Sequence, residues 1–127
     1  MTESEMVNFD KDLDSVLTVL QGARDLVGRG WTQYALARDS VGAAVEYWDE
    51  SVCSLCALGA IYTAARNHLG EDHCYPVHRD LSAKAIQAVE AGLGNDSISD
   101  FNDSESASQD AVVEAFGEAI ERLSANV

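Results

Sequence analysis

Basic residues are scarce in this chain: eight lysines and arginines stand against twenty-two aspartates and glutamates in 127 residues, a formal net charge of −14. A surface of that sign repels phosphates, so direct binding to nucleic acid or to an anionic membrane is not expected, and a basic or neutral partner is favoured. Proline occurs once and no low-complexity run is present, while 46% of residues are hydrophobic, which excludes a proline-rich linker and a chain disordered throughout. No stretch approaches the roughly 18 consecutive apolar residues of a membrane span. The opening MTESEMVNFDKD is acidic where a signal peptide needs positive charge. A cytoplasmic protein is therefore expected. The three cysteines, Cys53, Cys56 and Cys74, are odd in number and sparse, unlike a disulfide framework. They read as thiols or as metal ligands.

What is present fits one domain, with residues 1–9 as an acidic mobile tail and residues 10–127 as a mostly helical body of about four helices and one small β-hairpin. Leu13, Val16, Leu17, Leu20 and Val27 recur at helical spacing and predict a first helix from about Asp10 to Leu26. Turn-forming residues between Ala37 and Ala43 predict a hairpin. Trp31 and Trp48 flank it and are expected to seal it onto the helices. A second helix from about Asp49 to Asn67 has no polar face and should be central, with Gly59 and Ala60 admitting a neighbour closely. Dimerisation through this small-residue helix is left open. A third helix is expected from about Arg79 to Ala91, then an acidic loop over residues 95–105 pinned by Ile98 and Phe101. The last helix is expected to open with Ser106-x-x-Gln109 as a capping box and to bury Val112, Val113, Phe116, Ile120 and Leu123.

The ordered set Trp31-Thr32-Gln33, Ala37-Arg38-Asp39 with Gly42, Cys56-Ala57-Leu58-Gly59-Ala60 and Phe101-Asn102-Asp103 resembles a family of small uncharacterised proteins of bacteria and their phages. The resemblance spans roughly residues 13–123. Phe101 stands where that pattern has tryptophan, and Leu55 where an aromatic residue often precedes the cysteine. What the resemblance implies is a fold and a phage or mobile-element context; it assigns no catalytic residue.

Three constellations carry candidate chemistry. Cys53-x-x-Cys56 followed by His68-x4-His73 approaches a two-cysteine, two-histidine zinc spacing, with Cys74 and His78 as spare ligands. The opposing reading makes Cys53 and Cys56 small buried thiols in an apolar helix. Cys56, then His73 or His78, then Asn102 or Asp103, follows the chain order of papain-like hydrolases, but the flanking residues do not match that signature. Asp100-x-Asn102-x-Ser104 begins like a calcium loop and fails at Glu105 and Ala111. Asn102, Asp103, Ser104 and Ser106 are expected instead to bond the free amides of the last helix. Arg38 and Asp39 are expected to form a local ion pair.

The third constellation is acidic. Residues 96–127 hold eight acids against Arg122 alone. Asp110, Glu114, Glu118 and Glu121 fall in one helical stripe with neighbours about 6 Å apart, a spacing like that of successive phosphates, and Asp100 and Asp103 adjoin it. The sequence reading is thus a small non-enzymatic interaction protein without metal or cofactor. Its expected partner is a protein with a basic surface, in the sharper form a host nucleic-acid-binding defence protein that the acidic helix occupies as a nucleic acid mimic. The alternatives are a hydrolase centred on Cys56 and a small zinc module; the plain reading of the acids is a solvated helix face.

Overall fold

The computed structural model describes residues 3–70 and 75–125, and the side chains of residues 12–70 and 79–125. Their order is α1 (Glu3–Arg29), β1 (Ala37–Arg38), β2 (Ala44–Val45), β3 (Ser54–Leu55), α2 (Ala57–Leu69), α3 (Tyr75–Glu90), α4 (Ile98–Asp103) and α5 (Gln109–Ser124). This is a mostly helical domain with a small antiparallel sheet. One strand and one short helix go beyond the sequence expectation.

On α1, Val16, Val19, Leu20, Ala23 and Val27 are buried along one stripe that packs on α5 and α2. Each valine or leucine among them contributes roughly 1.5–3 kcal/mol when fully buried. The helix begins at Glu3, inside the segment expected to be a mobile tail, and runs on to Arg29. α5 answers with Val112, Phe116 and Ala119 buried, and Val113, Ile120 and Leu123 half-buried against the same core. Phe116 is its largest fully buried side chain.

The second helix is shorter than its apolar composition predicts. It starts at Ala57, not near Asp49, because Cys56 is its N-cap: the extended backbone there (φ −77°, ψ 173°) lets Sγ accept from Gly59 N at 3.3 Å. The residues before it are used in pairing. β3 lies antiparallel to β1, giving the order β2-β1-β3 with Ala37 opposite both Val45 and Leu55. Small residues of α2 are consumed inside the chain. Ala57, Ala60, Ala64 and Ala65 are buried, and Gly59 passes so close to the Leu36 carbonyl that a Cβ there would overlap it. These small residues therefore serve packing within the chain.

α3 begins at Tyr75, four residues before the expected start, and Pro76 falls in its first turn, where a missing N–H is tolerated. The acidic loop contains α4, capped by Ser97, whose Oγ accepts from Asp100 N at 3.1 Å. Ile98 is buried and Phe101 half-buried, as expected. The cap of α5 is Ser108 and not Ser106: Ser108 Oγ accepts from Ala111 N at 3.0 Å. Gln109 has another task, donating from Nε2 to the Val27 carbonyl at 2.7 Å and so tying α5 to the end of α1.

The hairpin turn is organised by Asp39, whose Oδ1 accepts from Val41 N at 3.0 Å and Ala43 N at 2.9 Å. Gly42 supplies the positive φ of 85° that the turn needs. The expected Arg38–Asp39 pair is replaced by separate roles. Arg38 donates to Thr32 Oγ1 at 2.9 Å, Gly42 O at 3.0 Å and Gln33 O at 3.2 Å, strapping the hairpin to the segment before it. Trp31 is half-buried, whereas Trp48 is 51% exposed and does not seal the hairpin.

Candidate functional site

Three distant stretches meet at one end of the helices. Asn102, on α4, is 1% exposed and every hydrogen-bonding position of its side chain is engaged. Its Oδ1 accepts from Trp31 Nε1 at 2.8 Å and from Ala57 N at 2.9 Å. Its Nδ2 donates to Thr32 O at 3.1 Å and Asp103 Oδ1 at 3.0 Å. Gln33 Nε2 closes the arrangement by donating to the carbonyls of Asn102 at 3.0 Å and Ser104 at 3.1 Å. Asn102 therefore satisfies the first amide of α2, not the amides of α5 expected from the sequence. An asparagine suits the position because only a carboxamide offers two acceptor and two donor directions without charge.

Asp103, counted among the partner-binding acids, is drawn into the same clasp. Its Oδ1 accepts from Tyr34 N at 2.9 Å, and its carbonyl accepts from the Tyr34 hydroxyl at 3.0 Å. Tyr34 is held from both ends in a left-handed conformation, φ 65°, the one non-glycine residue of positive φ among those described. Such backbone is uncommon for a bulky side chain and costs of order 1–3 kcal/mol. The ring is nevertheless 71% exposed. The clasp spends its polar groups internally, and what it delivers to the surface is a fixed aromatic ring.

That ring borders an open groove of about 560 Å³ beside β2, lined also by Leu36, Ala44, Val45, Glu46 and Asp49. Trp48 is the chain neighbour of Asp49 and stacks edge-on with Tyr47 at a centroid distance of 4.8 Å. Sequence reasoning missed Tyr34. Its only signal was its place directly after Trp31-Thr32-Gln33 and its potential link to Asn102-Asp103, which no spacing rule reveals.

Cys56 lies beside the clasp but is poorly placed for nucleophilic work. The side chain is 7% exposed, and burial pushes the thiol upward, outweighing the amides of Gly59 and Leu58 that favour thiolate; the negative charge of Asp103 acts in the same direction as burial. His68 is near the other end of α2, about 18 Å away at 1.5 Å per residue, with Nε2 3.3 Å from Ser15 Oγ. Cys74 and the side chains of His73 and His78 lie outside the described residues. Cys53 is exposed, with Sγ 3.5 Å from Ser51 O, while Cys56 is buried. Among the described residues no group of three or more histidine, cysteine or acidic side chains surrounds a common point that could hold a metal.

Asp110, Glu114, Glu118 and Glu121 are all exposed on α5, and at about 100° per residue they occupy the face opposite Val112, Phe116 and Ala119. Glu114 and Glu118 also rim a groove of about 260 Å³ whose lining includes Leu93, Phe101, Ala111 and Ala115. Asp100 is exposed on α4, apart from the clasp. Arg122 donates from Nη2 to Ala88 O, near the end of α3, at 2.9 Å.

Fold and site together define a small, mostly helical domain in which one buried asparagine joins three distant segments and an acidic helix forms an outer face. No helix among the described residues is long and apolar enough to cross a membrane. The chain belongs to DUF6197, a family of unknown function whose model matches residues 12–122, a span that contains every segment of the clasp. No curated protein and no solved structure matches it.

Proposed function

We propose that this protein is a non-catalytic interaction module that binds a basic surface on another protein through the outer face of α5. One observation carries the reading: four carboxylates, Asp110, Glu114, Glu118 and Glu121, stand exposed opposite the buried face, and two of them rim an apolar-floored groove. Lysine and arginine present that combination, an aliphatic stem with a charged tip. Neighbouring carboxylates about 6 Å apart repeat the spacing of phosphates on a strand, which supports the narrower reading that the partner is a nucleic-acid-binding protein whose site is occupied by mimicry. A phage or mobile-element protein acting on a host defence enzyme is the setting in which such occupation is useful. Like charges along one helix cost tenths of a kcal/mol each, so the stripe is maintained against a small penalty.

The test is an affinity capture from host lysate across a salt series, with wild type, a variant carrying lysine at positions 110, 114, 118 and 121, and Cys56→Ala. The expected result is a nucleic-acid-binding protein held by wild type and Cys56→Ala, released steeply by salt, and lost with the lysine variant. Equal capture by wild type and the lysine variant would reduce the stripe to a solvated face.

A further inference from the structure

A second surface points to a partner independently of α5. β2 is an outer strand of the sheet, and its pairing is alternate: Asp39 N donates to Ala43 O at 3.0 Å, and Arg38 O turns the other way to accept from Cys53 N at 2.8 Å. By antiparallel alternation, Ala43 and Val45 face β1 with their backbone groups, and Ala44, opposite Arg38, turns its N–H and C=O outward along the open edge. Unpaired edge groups are a template for an added strand.

The surroundings of that edge are equally specific. The groove beside it is lined by the apolar Leu36 and Val45 and by two acidic residues, Glu46 and Asp49. Asp49 accepts from Ser51 N at 2.8 Å and Ser51 Oγ at 2.6 Å, which holds its carboxyl below the usual range and keeps it charged. Tyr34, which lines the groove, is largely exposed and is kept there against backbone strain, and Trp48, exposed as well, immediately precedes Asp49 in the chain. Carboxylates beside exposed aromatic faces favour a guanidinium or ammonium, through charge and through the negative face of the ring. Arg38 does not line the groove and is spent on Thr32, Gln33 and Gly42.

We propose that the β2 edge and its groove receive an extended, arginine- or lysine-bearing segment of a partner protein as an added strand, with a cationic side chain set between Glu46, Asp49 and Tyr34. The occupant is fixed by the negative rim and the open strand edge: an acidic segment would fail the first and a helical one the second. This site does not depend on α5.

The experiment uses the full chain, labelled with nitrogen-15, at physiological salt, and a capped seven-residue peptide of alternating arginine and valine. Its control alternates glutamate and valine. The expected result is saturable shifts centred on the amides of residues 34–36 and 44–49, absent with the glutamate peptide. Glu46→Lys, at an exposed position, should weaken binding on the order of fivefold to tenfold. Ala44→Pro should abolish it by removing the outward N–H, with a thermal melt showing whether the fold survives. Shifts confined to residues 110–121, equal binding of the two peptides, or wild-type affinity in Glu46→Lys would each overturn the proposal.

Discussion

The Trp31 indole and the Asn102 carboxamide, 71 positions apart in the chain, meet in a 2.8 Å hydrogen bond, and the same Asn102 oxygen caps the first amide of α2. Removing the two partners should not cost the same. Asn102→Ala orphans the Trp31 and Ala57 donors in a buried setting and should destabilise by about 3 kcal/mol. Trp31→Phe leaves the oxygen still paired with Ala57 and should cost nearer 1 kcal/mol for the lost hydrogen bond. Urea denaturation of both variants and of the double mutant measures the difference; equal costs would mean that the cap on α2 contributes little.

Tyr34 permits a test of strain. At φ 65°, glycine is conformationally free and alanine is not. Both substitutions remove the hydroxyl bond to Asp103, so Tyr34→Gly should be more stable than Tyr34→Ala by about 1 kcal/mol. The reverse order in thermal melts would show that the left-handed backbone carries no cost here.

Gly30 and Gly59 are set directly against backbone, at the Cys53 and Leu36 carbonyls, which cannot rotate away. Gly59→Ala would ordinarily strengthen a helix. Here it should destabilise by about 2–3 kcal/mol, as overpacking does, and shift the start of α2 from β1. Gly28→Ala, with nothing near its Cβ position, is the matched control and should be neutral or stabilising. Denaturation midpoints distinguish the two.

Cys56 predicts a pH dependence with a definite sign. Its thiol is raised from 9.0 by burial. Above that pH the unfolded chain loses the proton while the folded chain keeps it, so the unfolded state binds fewer protons and stability falls as pH rises towards the folded value. Below pH 9 the contribution is fully present. Cys56→Ser, which keeps an acceptor for the Gly59 amide, should flatten the alkaline decline and hold the cap, whereas Cys56→Ala should lose about 1 kcal/mol at neutral pH. In a Cys74→Ser background, a thiol reagent should modify exposed Cys53 rapidly and Cys56 only on unfolding.

Periodic features were legible in the sequence because they repeat: the Val16–Leu20–Val27 stripe, the Val112–Phe116 face and the turn around Gly42 all stand where spacing put them. What escaped were single-residue decisions. The composition of residues 49–56 reads as helix, but Cys56 accepts a backbone bond and Ser54–Leu55 pair with β1, so tertiary pairing overrides local propensity. The four polar residues after Phe101 looked like a cap for the nearest helix in sequence. Asn102 caps the nearest helix in space, α2, and only the fold brings that amide within reach. Likewise the stripe on α5 was visible as periodic charge, while Asp103 could not be separated from its acidic neighbours until Tyr34 was seen on it.

The clasp also imposes an order on synthesis. Trp31, Thr32 and the first amide of α2 leave the ribosome about seventy to forty-five positions before Asn102, and the stripe on α1 waits longer still for Phe116. Through that interval the emerging chain shows water an apolar helix face and unmatched polar groups, the state that chaperones and proteases recognise. A premature stop anywhere before α5 would leave that face unburied and should yield a product that does not accumulate.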